Sequence, residues 1–128
     1  MANEATIPEF LEYARKVAEK RGFSYKVEDG VIELRHQSAP LRLIAALQQG
    51  SLRVRLELFG EIEDLVEGVE GSQDEIRSVV EDYLLEVEMV AEELEAKARS
   101  LGLSVRSEVR ESIMDILDEL EDYLELIY

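Results

Sequence analysis

Asp29-Gly30 stands between two alternating runs, residues 23–28 and 31–36, and no other feature constrains the fold as tightly. The pair tolerates positive φ at both central positions of a type I′ turn, whose twist matches that of the strands it joins. Counting outward from it sets the register. Val27 faces Ile32, Tyr25 faces Leu34 and Phe23 faces His36 on one side of the ribbon, and Lys26 faces Glu33 on the other. Gln49-Gly50 repeats the arrangement between residues 41–48 and 51–59. This second hairpin aligns Leu41, Leu43, Ala45, Leu47, Leu52, Val54, Leu56 and Leu58 against an outer face of Arg42, Arg53, Arg55 and Glu57. Ser38-Ala39-Pro40 is too short for a parallel crossover, so the four strands are expected to form an antiparallel meander with helices on its apolar side.

A helix precedes the strands. Thr6-x-x-Glu9 has the form of a capping box, Pro8 fits a first turn, and Ile7, Phe10, Leu11, Ala14, Val17 and Ala18 make one stripe that Gly22 can end. After residue 60 both the charge and the period change. Residues 1–60 hold nine basic and eight acidic side chains, whereas 61–128 hold five and twenty-two. Residues 61–71 are acidic and glycine-bearing and are expected as a loop. Ser72-x-x-Glu75 is a second capping box, followed by Ile76, Val80, Tyr83, Val87, Val90 and Leu94 at alternating four and three residues, to about Leu101. Gly102 can cap that helix, and a last helix over 104–127 carries Val109, Ile113, Ile116, Leu120, Tyr123 and Ile127. The expected architecture is one α+β domain over 1–128: a helix plus sheet over 1–60, the acidic loop, and an acidic helical hairpin over 72–128 whose two long amphipathic helices pack on the sheet and on each other.

Composition removes several classes of chemistry. The chain has no cysteine, which excludes disulfides, thiol catalysis and thiolate metal sites, and His36 is its one histidine. The serines lack a nucleophile-elbow context, and no phosphate-binding glycine loop occurs. No run reaches the roughly 18 apolar residues of a membrane span, and residues 1–4 lack the basic start of a leader, so the expected location is the cytoplasm. Ten arginines to four lysines, with Asn3 the only asparagine, is a composition compatible with a thermophile.

Candidate metal ligands are weak. Glu33 and His36 share the Glu-x-x-His spacing of carboxylate-bridged iron sites, but an odd separation in a strand puts them on opposite faces. Asp115, Asp118, Glu119 and Asp122 on the last helix, and Glu61, Glu63, Asp64 and Glu67 before it, lack the wrapping loop of a cation site and read as solvated surface. No metal or cofactor is expected, and no enzyme. A general acid or base would reveal itself by a shifted pKa in a cleft, which sequence does not display.

Surfaces for partners are better supplied. Lys26, Arg35, Arg42, Arg53 and Arg55 project from the outer sheet face. Nucleic acid is the alternative reading of that face, opposed by a net charge of −16 and by the absence of an aromatic residue from it. Val31, Ile44 and Ala46 among the arginines instead suit an acidic protein surface. The helices carry surplus apolar width in Tyr83, Leu84, Leu85, Met89, Leu117, Leu124 and Ile127, commonly closed by a dimer or held open for a client. The expected function is therefore an adaptor or chaperone-like module, homodimeric, binding a partner protein through Arg35, Arg42, Ile44, Arg53 and Arg55 on the sheet and Ile116, Leu120, Tyr123 and Ile127 on the last helix.

The order helix, antiparallel strands, acidic amphipathic helices resembles the type III secretion chaperone and YbjN-like fold over roughly the first hundred residues. It departs where those proteins return to the sheet after the second long helix. The resemblance implies a homodimeric binder of partner proteins without catalysis.

Overall fold

A computed structural model describes residues 6–127. Residues 1–4, read above for a leader, and Asn3 with them, lie outside that range. Helix α1, Thr6–Arg21, buries Phe10, Ala14, Val17 and Ala18 as one stripe and ends at Gly22, whose φ of 76° is the left-handed stop the sequence called for.

Strands β1 (Ser24–Glu28), β2 (Val31–Arg35), β3 (Leu41–Gln48) and β4 (Ser51–Leu58) form the expected antiparallel meander. Asp29 and Gly30 both take positive φ, 51° and 77°, and the register is the one that the turn dictates: Tyr25 opposite Leu34, Lys26 opposite Glu33, Val27 opposite Ile32. Phe23 and His36 stand just beyond the paired residues with their rings edge to face, 5.3 Å apart.

Two elements depart from the sequence reading. Within the expected loop 61–71, helix α2 (Ile62–Val66) buries Ile62, Leu65 and Val66, and Asp64 accepts a 2.8 Å hydrogen bond from the Glu61 N–H at its start. Three apolar side chains at spacings of three and one were enough once other elements lay beneath them. The larger correction is at the last helix, which starts at Val109 rather than at 104. Helix α3 (Gln73–Ser100), opened by the Ser72–Glu75 capping box, ends in a Schellman motif: the Leu103 N–H reaches the Ala98 carbonyl and the Gly102 N–H the Arg99 carbonyl, both at 3.0 Å, with Gly102 at φ 86°. Buried Leu103 turns the chain back so that the Ser104 N–H donates to the Gly50 carbonyl at 3.0 Å. Strand β5 (Ser104–Ser107) then pairs parallel to β4, Leu52 beside Val105 and Arg53 beside Arg106. The sheet is thus five-stranded in the order β1-β2-β3-β4-β5, and β5 covers an edge that four strands would leave bare. The chain returns to the sheet where the sequence reading had it part from the chaperone-like order.

Helix α4 (Val109–Ile127) follows at once. One apolar cluster draws on all four helices and on β2, β3 and β4. Ile32, Leu34, Leu43 and Val54 of the inner sheet face are fully buried, as are Phe10 of α1, Val87 and Leu94 of α3, and Leu120 and Leu124 of α4. Packing of α3 against both α1 and α4 places it between them. The outer sheet face is open: Val31, Arg35, Arg53 and Arg55 are exposed.

A Cβ at Gly102 would meet no atom within 4 Å, so the cost of a side chain there is that of the backbone conformation alone. Gly102→Ala is expected to destabilise by about 1–2 kcal/mol, and Gly102→Asn by less, read as a shift in urea midpoint at constant slope.

Candidate functional site

On the outer sheet face four arginines already have partners, while Arg106, beside Arg53 on β5, makes no ion pair. Arg35 Nε donates to Glu33 at 2.6 Å, Arg42 bonds Glu57 at 2.7 Å and reaches Glu33 at 3.4 Å, and Arg55 also pairs with Glu57. Arg53 makes a two-point contact with Glu108, at 2.8 and 3.2 Å. The hydrogen bond from Arg35 holds the Glu33 carboxyl below the usual carboxylate range, that from Arg53 does the same to Glu108, and Glu57 raises Arg42. Val31, Ile44 and Ala46 form the floor of a shallow depression of about 540 Å³ beside Arg53 and Arg55.

This face also carries an aromatic ring, contrary to the sequence reading. The alternation that turns Arg53, Arg55 and Glu57 outward turns Phe59 outward too, and the guanidinium of Arg35 covers its ring at 4.7 Å, with Arg42 at 5.7 Å. The ring is half-buried by these cations rather than displayed for a base to stack on.

His36 lies on the inner side, away from Glu33, as strand parity requires. Its Nδ1 accepts hydrogen bonds from the Ser38 and Ala39 N–H groups at 3.0 and 3.1 Å, which makes Nε2 the protonated nitrogen of the neutral ring. Nε2 sits 3.4 Å from a Glu86 carboxylate oxygen, and the ring is flanked edge-on by Phe23 and Tyr83. It closes the β2–β3 turn. Among the described residues no three histidine, aspartate or glutamate side chains come together as a metal site, and Asp115, Asp118, Glu119 and Asp122 are all exposed along α4.

The helical layer presents a different surface. Glu81, Leu85, Glu88 and Glu92 recur on one side of α3 at spacings of four and three, and Arg110, Ile113, Leu117 and Glu121 do so on α4. Leu85, Ile113 and Leu117 line a groove of about 360 Å³ between the helices, rimmed by Glu81, Asp82 and Glu88. Leu85 is 53% exposed; Met89, one turn further along α3, is 38% exposed and Met114, next to Ile113 in α4, 60%. One turn beyond the groove Arg77 bridges to Glu121 at 2.5 and 2.8 Å, and toward the other end Arg110 lies among Glu88, Glu92, Glu95 and Glu111.

The structure separates the residues that the sequence grouped for partner binding. Arg35, Arg42, Ile44, Arg53 and Arg55 do share one face. Ile116 and Leu120, at 6% and 0% exposure, belong to the core of the chain itself; Tyr123 is half-buried and Ile127 exposed. Of the over-wide stripe that the sequence shows, Leu84 and Leu124 are buried in the core, Tyr83 and Leu117 are half-buried, and Leu85, Met89 and Ile127 are exposed.

Ion pairs also tie the layers together. Arg21 at the end of α1 bonds Glu93 of α3 at 2.8 Å, which holds the Glu93 carboxyl below its ordinary value of 4.5. A depressed carboxylate contributes stability that is present above the ordinary value and lost as pH falls through the folded one. Glu93→Gln is therefore expected to melt below wild type at pH 7 by the equivalent of about 0.5–1 kcal/mol, with the gap closing in melts run below about pH 4.

No helix is long and apolar enough to cross a membrane among the described residues. Comparison of the chain with protein-family models, curated proteins and solved structures finds no match in any of the three. The likeness to type III secretion chaperones thus rests on element order alone.

Proposed function

We propose that this chain is a non-catalytic protein-interaction module, adaptor-like or chaperone-like, that docks a partner protein along the α3–α4 groove. The observation that carries this is the groove lined by Ile113, Leu117 and exposed Leu85, with exposed Met89 one turn along α3 from Leu85 and exposed Met114 next to Ile113 in α4. The cytoplasm suits a chain without cysteine. The homodimer expected from the sequence needs another surface, since Ile116 and Leu120 are internal. A two-fold pairing of the groove itself would set Glu81, Asp82 and Glu88 against their own copies. The favoured occupant is a different protein. Nucleic acid on the sheet would have to draw Arg42 and Arg53 out of bonds they already make.

Affinity capture from lysate with and without nuclease tests this reading, using wild type, a Leu85→Gln/Met89→Gln variant and an Arg53→Gln/Arg55→Gln variant. A protein that survives nuclease and is lost only with the helix-face variant supports it. Capture that needs nucleic acid, or that follows the arginines, contradicts it.

A further inference from the structure

We infer that the segment seated between α3 and α4 is a basic amphipathic helix, an inference that rests on the docking reading above and names its partner class. The first ground is charge. Ion pairs within the chain use every basic side chain except Lys16, Arg106 and Arg110, while Glu81, Asp82, Glu88 and Glu92 have no ion-pair partner among the described residues. Arg110 is the one unpaired cation near this surface, and it lies toward one end among four carboxylates, Glu88, Glu92, Glu95 and Glu111, with none of which it forms an ion pair. An apolar floor rimmed by unneutralised carboxylates disfavours an acidic occupant and rewards one bearing lysine or arginine around an apolar stripe.

Shape is the second ground. The groove lies between two helices with no free strand edge in it, so an added strand has no ladder to join. From Glu81 to Glu92 the rim spans about 16 Å of helix, roughly three turns, which matches anchors at i, i+4 and i+7 of a docked helix. Met89, one turn along α3 from Leu85, and Met114, next to Ile113 in α4, are exposed, and their unbranched thioethers adapt to anchors of differing shape. A second copy fits poorly, because its own α3 and α4 are strongly acidic and Arg35, Arg42, Arg53 and Arg55 of its sheet face are already paired.

The test uses the full chain and three labelled peptides of about 18 residues: a leucine/lysine helix with one apolar stripe, its leucine/glutamate counterpart, and a scrambled leucine/lysine peptide without a stripe. Fluorescence anisotropy is read at about 50 and about 300 mM salt. The striped lysine peptide is expected to bind at least about tenfold tighter than either of the others, and Leu85→Gln, at an exposed position, to weaken that binding several-fold without lowering the melting temperature. Glu81→Gln/Glu88→Gln is expected to weaken binding several-fold and flatten its salt dependence, while Glu63→Gln/Glu67→Gln, on α2 and just after it, leaves binding unchanged. Equal binding of the glutamate or scrambled peptide, or an equal loss in the Glu63/Glu67 variant, overturns the inference. So does a doubled mass of the protein alone that Leu85→Gln abolishes, since a second copy then fills the groove. If no peptide binds while lysate capture still depends on Leu85 and Met89, the basic-helix assignment fails and the docking reading stands; if capture ignores those residues as well, both fail.

Discussion

Leu120→Glu is expected to leave no folded protein at neutral pH. Leu120 is fully buried, on the same face of α4 as Ile116 and Leu124. Losing its packing costs about 2–5 kcal/mol, and a carboxylate held there without a partner adds several more, against a total stability of about 5–15 kcal/mol for a domain of this kind. Far-ultraviolet circular dichroism at 25 °C reads the outcome. On the same helix Ile127 is 51% exposed, and Ile127→Glu is expected to change stability by no more than about 0.5 kcal/mol. A folded, monomeric Leu120→Glu protein would instead mean that this side chain sits at an interface between copies, as the sequence alone suggested.

His36→Ala is the second large effect, expected at about 2–4 kcal/mol. Two losses combine in it. The Ser38 and Ala39 N–H groups lose their shared acceptor, the second of them buried, and Phe23 and Tyr83 lose the ring that separates them. His36→Phe keeps a ring in that place but not the acceptor, so it is expected to recover only part of the loss. Urea melts of the three proteins separate the terms, and equal stability of the phenylalanine variant and wild type would show that the turn does not depend on Nδ1.

The two hairpins were legible because their determinants are local. A period of two and a dipeptide turn fix which side chains share a face, and the same counting places Phe59 outward once it is carried one residue pair further. Strand β5 was hidden for the opposite reason. Ser104-Val105-Arg106-Ser107 offers a single inward apolar side chain, and it becomes a strand because the Schellman turn at Gly102 delivers it to the bare edge of β4, a partner some fifty residues away in sequence. Helix α2 is similar, five residues long and made stable by what lies under Ile62, Leu65 and Val66.

The docking surface was half legible. The sequence shows that α4 has more apolar width than one seam requires, but Ile113 and Leu117 differ from Ile116 and Leu120 only by rotation about the helix axis. Which pair faces inward depends on where the sheet and α3 lie. The arginines misled in the other direction, because the pairing of Arg42 to Glu33 and Glu57 and of Arg53 to Glu108 joins residues from different elements and is invisible in a count of charges.

Methyl NMR of the protein labelled at methionine and isoleucine, titrated with the striped leucine/lysine peptide, tests the groove most directly. Met89 follows the groove residue Leu85 by one turn of α3 and Met114 adjoins Ile113, which lines the groove, while Ile44 sits on the outer sheet face. Shifts at Met89, Met114 and Ile113 with Ile44 unmoved are the predicted result; shifts centred on Ile44, or none at the two methionines, would contradict it.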